Sequence, residues 1–446
     1  MRKKFLKYAV PSVLSMWVYS LYTMVDGIFV AKGVGETALA AVNISMPFVN
    51  AVFALSIMFA VGTSTVSAIS LGNKENNKAS EIFTMNMTVL IVIGIVVTAV
   101  VLLNLESIAY FLGATENTVN YVKEYLGIIS AFTVFPILSY YFEVLVKTDG
   151  KPRLSTLCVC ISAVTNIALD YIFVIKLGYG VRGAALATGI AQMIPVMIYV
   201  LYFIYKSSKI KFVRFKFEFS VFMRTMLIGM SDFITEFSSG FIIFMFNITI
   251  LKNIGEIGII TYTIIMYINN IVIMTMTGIS QGNQPLVSYC YGRGDTKTYL
   301  YFLKTAIKSA GAISLLIYAV CMLFAERICG IFISADETRL IEYSAKAIRW
   351  YSSAYLILGF NIIFSGFYAA LERPLYSAII SVGRGFAVIT ASLIVMASLF
   401  GEKGIWMSSF ISEAICLIAA IAIFIRFYYK ELFDDIMEKE PLGDYD

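Results

Sequence analysis

Long uncharged stretches separated by short charged connectors set the pattern of this chain. They fall at 8–25, 37–73, 82–105, 125–142, 154–175, 183–205, 237–251, 257–292, 309–325, 350–371, 385–401 and 404–425. Residues 154–175 are interrupted only by Asp170, and 404–425 only by Glu413. A helix of about 20 mostly apolar residues crosses a hydrocarbon slab, so these stretches predict twelve spans, numbered here in chain order. Continuous apolar runs must be helical in lipid, where each backbone has to satisfy its own hydrogen bonds. A closed barrel would instead show alternation in segments of about ten residues, and none is visible. The predicted fold class is an all-α membrane protein with twelve transmembrane helices.

Two of the stretches are oversized: 37–73 and 257–292 hold 37 and 36 uncharged residues. At about 1.5 Å per residue either exceeds the thickness of the slab as one helix, so each is expected to bend, protrude or contain a loop. A shift of 220 residues superimposes them, and ten of 45 ungapped positions then match between 28–72 and 248–292. Lys32, Gly35, Glu36, Asn50, Gly62 and Gly72 lie against Lys252, Gly255, Glu256, Asn270, Gly282 and Gly292. Further on, Lys151-Pro152 matches Arg373-Pro374, and Gly180 and Gly183 match Gly401 and Gly404. Such a duplication predicts two pseudo-twofold-related six-helix lobes, residues 1–206 and 221–430, with a basic linker at 207–220 and a tail at 431–446. Six is an even number, so both halves insert the same way round. Two parallel halves of this kind form a transporter architecture that binds substrate near the midplane and rocks one half against the other.

Basic residues collect on one side of the spans. Twenty lie in the N-terminus, the even-numbered loops and the tail, which includes Arg426, Lys430 and Lys439, against ten in the odd-numbered loops. The richer side is expected to be cytoplasmic, with both termini inward, as an even number of spans requires.

Composition agrees with a lipid environment. Of 446 residues 59% are hydrophobic and 14% charged, against roughly 45–50% and 25% in a soluble domain, and mean hydropathy is +0.82. Membrane lipids are therefore partners, and a soluble enzyme or a nucleic-acid binder is excluded. There is no histidine, which removes His-based triads, haem ligation and His-containing zinc sites. The six cysteines form no C-x-x-C pair and read as small apolar residues. Arg2, Lys3 and Lys4 before an apolar run imitate a signal peptide. Pro11, Asp26 and the lack of a small-residue cleavage site favour a retained first span.

A charge at membrane depth is expensive and commonly functional. Asp170 lies about 16 residues into span 5, with Asn166 one turn earlier. That spacing puts an amide and a carboxylate on one helix face. Oxygen ligands of this kind suit a hard cation such as Na⁺, or a carboxylate can hold a proton; the alternative is a polar patch that glues helices together. Asp26, toward the end of span 1 with Tyr22 one turn before it, reads equally as functional or interfacial. Glu143 precedes Lys147 by four residues, the spacing of a local ion pair. Asp232 and Glu236 lie one turn apart in span 7 and read as a cavity pair or as local polarity. Arg384 is the clearest buried base, nearly alone at depth, and Glu413 could pair with it. Aromatics form 15% of the chain and methionines number 20, a stock from which an adaptable apolar cavity for lipophilic cations can be lined.

Taken together these residues resemble the multidrug and toxic compound extrusion transporters, the MATE family. The resemblance runs over the whole chain. It is carried by Pro11 with Leu21-Tyr22-Thr23-Met24-Val25-Asp26-Gly27, by Asn166-Ile167-Ala168-Leu169-Asp170 followed by Gly183-Ala184-Ala185-Leu186-Ala187-Thr188, and by Gly278-Ile279-Ser280-Gln281-Gly282-Asn283-Gln284-Pro285. It implies export of small lipophilic, often cationic, molecules in exchange for Na⁺ or H⁺, without a further cofactor, by a monomer in a bacterial cell membrane. It also implies that Asp26, Asn166, Asp170 and Thr188 form the cation-coupling site, where Na⁺ could bind. Tyr22, Glu143, Asp232, Glu236 and Gln281 are expected at the substrate cavity. Ser231 departs from the family, many members of which have proline there. A lipid-linked sugar flippase would need a strongly cationic cavity, and a channel a symmetric oligomer with a repeated filter. A membrane enzyme would need a nucleophile, base or metal cluster. None of these features is visible in the sequence.

Overall fold

A computed structural model describes residues 1–334 and 336–427, with the backbone alone for Thr23 and Glu36. The expected tail at 431–446, with Lys430 and Lys439, lies outside the described residues. Among the described residues every regular element is helical. Spans 1 to 3 are Arg2–Gly33, Glu36–Gly72 and Asn76–Leu103. A short helix, Leu105–Phe111, precedes span 4, which is a pair of helices, Val119–Ala131 and Val134–Thr148, bent by 49°. Pro136 follows that break and lacks the N–H that would continue the helix through it. Span 5 is Pro152–Asp170 extended by a π-helical turn, Tyr171–Lys176, and span 6 is Gly180–Tyr205. Spans 7 to 9 are Phe219–Asn253, Glu256–Gly292 and Thr296–Phe332. Span 10 runs from Thr338–Tyr351 through a 3₁₀ turn into Tyr355–Ala370.

The remaining 53 residues, Pro374–Arg426, are two spans and not one. Gly401 breaks the helix with φ +57° and ψ −135°, a conformation that only glycine adopts without strain. The proof of reversal is chemical. Arg384 and Glu413 would be roughly 43 Å apart on a straight helix, yet their side chains meet at 2.9 Å. Spans 11 and 12 are therefore residues 374–400 and 402–427, and the total is the expected twelve.

The duplication is legible in the backbone. The two oversized stretches are each a single 37-residue helix, offset by 220 residues. They run about 55 Å, so the excess length is helix that protrudes beyond a hydrocarbon core or tilts within it, and neither contains a loop. Their flanking turns repeat as well: Gly35 and Gly255 have φ of +104° and +92°, and Lys74 and Gly294 have +67° and +68°.

Two compact units emerge from the packing. The first holds Met1–Phe237, Ile268–Ser309 and Gly366–Pro374, and the second holds Ser238–Tyr267, Ala310–Ser365 and residues from Leu375 onward. In the first unit the repeated glycines let helices touch backbone to backbone. A methyl on Gly72 of span 2 would overlap the carbonyl oxygen of Tyr289 in span 8, and a methyl on Gly292 would overlap that of Ile69. These two contacts map onto each other under the 220-residue shift. A second matched set joins Gly62 and Gly229 to Thr225 and Met58, between spans 2 and 7, and Gly282 and Gly278 to Ala9 and Val13, between spans 8 and 1.

The stretch after span 6 has no helix until Phe219, but it is firmly held. Asp149 Oδ1 accepts from the amides of Lys209 and Ile210 at 3.1 and 3.0 Å, and Tyr202 donates its hydroxyl to Oδ2. Ser80 and Thr84 of span 3 accept from the amides of Lys211 and Val213 at 3.1 and 3.2 Å.

Candidate functional site

Span 5 carries the centre of the site. Its register places Asn166 and Asp170 on the face that packs on spans 1 and 6, and the helix changes to a π turn immediately after Asp170. π turns widen a helix locally and are frequent at functional positions. Ser162 donates to the carbonyl of Ala191 at 2.9 Å, and Asn166 Nδ2 donates to Thr188 Oγ1 at 3.3 Å, which fixes span 5 against span 6. Across from them, Asp26 of span 1 stands near enough for its carboxyl and that of Asp170 to interact. Tyr125, from the first helix of span 4, lies in the field of both carboxylates and of Tyr22.

Burial here is nearly complete. Asp170 is 0% exposed, Asn166 1% and Asp26 8%. Both oxygens of Asp170, Oδ1 of Asn166 and Oδ1 of Asp26 accept from no neighbouring N–H or hydroxyl, and the two carboxyls have only each other to share a proton with. Buried polar atoms are ordinarily satisfied, and an orphaned carboxylate is far more costly than an orphaned amide. All four orphan atoms are acceptors and none is a donor. That is the chemistry of a pocket for a hard cation or a proton. The structure thus brings together Asp26, Asn166, Asp170 and Thr188, with the half-buried Tyr22 one turn before Asp26 in the chain.

A second polar group lies in the same unit. Glu143 accepts from Lys147 Nζ at 2.9 Å, from the Tyr19 hydroxyl at 2.9 Å and from Ser155 Oγ at 3.3 Å. One turn earlier the Tyr140 hydroxyl accepts from Gln281 Nε2 at 2.6 Å. Tyr140 also lies within electrostatic reach of Glu143, Asp232 and Glu236. Asp232 and Glu236 are half-buried. Of the four expected cavity residues, Gln281 bonds Tyr140 directly, Glu143 follows it by one turn, and Asp232 and Glu236 act on it only through the longer reach of their charge, while Tyr22 lies between the two groups, its ring 5.9 Å from that of Tyr19.

In the second unit Arg384 and Glu413 form the pair that the sequence suggested. Arg384 Nε and Nη2 reach Glu413 at 2.9 to 3.0 Å, and Asn361 Nδ2 donates to Glu413 Oε2 at 2.6 Å. The expectation that Arg384 is the clearest buried base, nearly alone at depth, needs correction, because Lys147 is the more enclosed of the two, its side chain 1% exposed against 12% for Arg384. The spacing of a local ion pair with Glu143 was legible, and Tyr19 of span 1 and Ser155 of span 5 close on the glutamate of that pair. Tyr19, Tyr125, Tyr140, Ser155 and Asn361 were not singled out by sequence reasoning. Uncharged residues in helices rich in their own kind give no signal there.

The MatE family profile matches residues 11–172 and 232–396. Curated relatives include the multidrug export protein MepA of Staphylococcus saprophyticus, 24% identical over 438 residues, with 94% of this chain and 93% of the relative covered. The MepA of Staphylococcus haemolyticus is 25% identical over 440 residues, covering 95% and 92%. Among solved structures, a multidrug resistance MATE family transporter of the MOP superfamily in an outward-facing conformation superimposes with a TM-score of 0.89 at 21% identity. A MATE crystal structure in the straight conformation gives 0.90 at 21%, and both matches cover 96% of each chain. At that identity the structures speak for the fold. With a profile that spans both halves, twelve membrane-crossing helices and a repeat visible in the turns, the chain belongs to the MatE family and is a multi-pass membrane transporter, not an enzyme.

Proposed function

We propose that this transporter exports small lipophilic cations from a bacterial cell in exchange for Na⁺ or H⁺ by alternating access. The observation that carries the reading is the set of four donorless buried oxygens on Asp170, Asn166 and Asp26. An inward-moving cation bound there by Asp26, Asn166, Asp170 and Thr188 would favour one packing of spans 1, 5 and 6, and the exported molecule would favour another. Coupling needs only that difference of preference. Tyr22, Glu143, Asp232, Glu236 and Gln281 serve as cavity residues in this reading, and the surplus of carboxyls around Tyr140 suits a positively charged substrate. The export function agrees with the names of the staphylococcal relatives.

The excess of basic residues at the ends joined by the N-terminus supports a plasma-membrane topology with both termini cytoplasmic. The lobes are assigned to 1–206 and 221–430, joined by 207–220. A flippase for pyrophosphate-linked lipids is not supported, because the buried bases Lys147 and Arg384 are each neutralised by a glutamate.

The test is efflux of a fluorescent lipophilic cation from vesicles under separately imposed Na⁺ and pH gradients. Asp170→Asn is expected to abolish the response to whichever gradient drives the native chain. Undiminished gradient-driven efflux in that variant overturns the reading.

A further inference from the structure

The ion pair between Glu143 and Lys147 is unequal. Both side chains are shut away from solvent, at 0% and 1% exposure, with Nζ 2.9 Å from Oε1. The carboxylate has two further donors: Ser155 Oγ at 3.3 Å on Oε1 and the Tyr19 hydroxyl at 2.9 Å on Oε2. The ammonium carries three N–H donors, and among the described residues Glu143 is its only hydrogen-bond partner. If the lysine end withdrew, the carboxylate would still be held by two donors from two other spans. If the carboxylate withdrew, the ammonium would have nothing. Glu143 is therefore preorganised to receive a cation, and Lys147 is the replaceable member.

The surroundings extend that asymmetry. Tyr140 joins Glu143 electrostatically to Asp232 and Glu236, and the buried Gln281 Oε1 has no donor. The Tyr140 hydroxyl, one turn from this pair, thus lies in the field of three carboxyls and is bonded to the amide whose oxygen is orphaned. A buried charge pair made for stability alone would satisfy both partners.

We propose that Lys147 is a tethered stand-in for the positive head of the exported molecule. It occupies Glu143 while the site is empty and gives way when a substrate cation arrives. The geometry also narrows the substrate class. Only a cation with at least one N–H can replace the bond from Lys147 to Oε1, so a protonated amine on an apolar body is preferred over a phosphonium or quaternary ammonium, which supplies charge without a donor. The inference rests on Glu143 belonging to the substrate cavity. A resident competitor lowers apparent affinity by the fraction of time that it holds the site. Exchange of one ion pair for another lets substrate leave without stranding a buried carboxylate.

The experiment titrates the purified full chain with two probes, a dansyl-tagged alkylamine and tetraphenylphosphonium. Lys147→Gln is expected to bind the amine about tenfold more tightly, a change of ~1.4 kcal/mol. Lys147→Arg, which keeps the charge and fills more acceptors through its fork of donors, is expected to bind it more weakly than the native chain. The double variant Glu143→Gln with Lys147→Gln removes both charges and so leaves no unpaired ion to unfold the protein. It is expected to lose the preference for amine over phosphonium. Unchanged amine affinity in both Lys147 variants, or an unchanged preference in the double variant, overturns the proposal and leaves export itself standing. Failure of the native chain to bind either probe overturns the exporter reading and this inference with it.

Discussion

A carboxylate without a donor, enclosed on every side, marks where a protein has left room for something positive. Asp170 has two such oxygens, and Asn166 and Asp26 add one each. If the occupant is Na⁺, its binding should stabilise the folded chain by mass action, by about 2.7 kcal/mol at a hundred times the dissociation constant. A rise in Tm with added NaCl over matched choline chloride is expected for the native chain and should vanish in Asp170→Asn. If protons drive the exchange, neither protein should respond to Na⁺, and the native Tm should instead depend on pH where Asp170→Asn does not. Glu413 is the contrasting case. Its carboxylate is fully engaged by Arg384 and Asn361, so Glu413→Ala strands a buried guanidinium. That change should cost about 3–5 kcal/mol, read as lost thermal stability in detergent. The asymmetry between the two acids was only half legible beforehand. Sequence spacing put Asn166 and Asp170 on one face and suggested that Arg384 and Glu413 pair. It could not show which acids lack donors, because the answer depends on tyrosines, serines and an asparagine contributed by distant helices.

At the scale of elements, the glycines of the repeat act through what they lack. Gly72 and Gly292 each leave space for a carbonyl of the opposite helix. Gly72→Val is expected to force spans 2 and 8 apart at a cost of about 1–3 kcal/mol, measured as a drop in Tm. Gly401→Ala should be milder, about 1 kcal/mol, since strain at its positive φ is the only obstacle and nothing lies within 4 Å of the added methyl. Span number and type followed from hydrophobic run length, because lipid leaves a backbone few other choices. The short helix Leu105–Phe111, the bend in span 4 and the π turn after Asp170 did not. They arise from packing and single-residue backbone geometry, which leave no periodic trace in a uniformly apolar stretch.

For the whole molecule the chief lesson concerns the duplication. Ten matches in 45 positions is a thin signal, yet spans 2 and 8 begin and end at positions offset by the same 220 residues. The turns before and after them keep their sign of φ. Backbone conformation has been retained where side chains have diverged. The chemistry has not been kept symmetric: span 5 carries Asp170, both of whose oxygens lack a donor, while span 11 carries Arg384, which is paired with Glu413. If the coupling cation is held in the first half alone, as proposed above, Arg384→Gln combined with Glu413→Gln, which removes both charges at once, is expected to leave the ion dependence of efflux unchanged. A changed requirement for Na⁺ or H⁺ in vesicles carrying that double variant would assign a coupling role to the second half.

The place where spans 2 and 8 cross has a mechanical corollary. The touching residues are the last turns of two rods each about 55 Å long, at Ile69 to Gly72 and Tyr289 to Gly292. With bare backbone against bare backbone, no side chain there has to change rotamer for the rods to pivot. A swing of roughly 10° about that point carries the far tips through about 10 Å, from the same helix length. The two smallest residues in the joint thus set the leverage of the longest helices in the repeat.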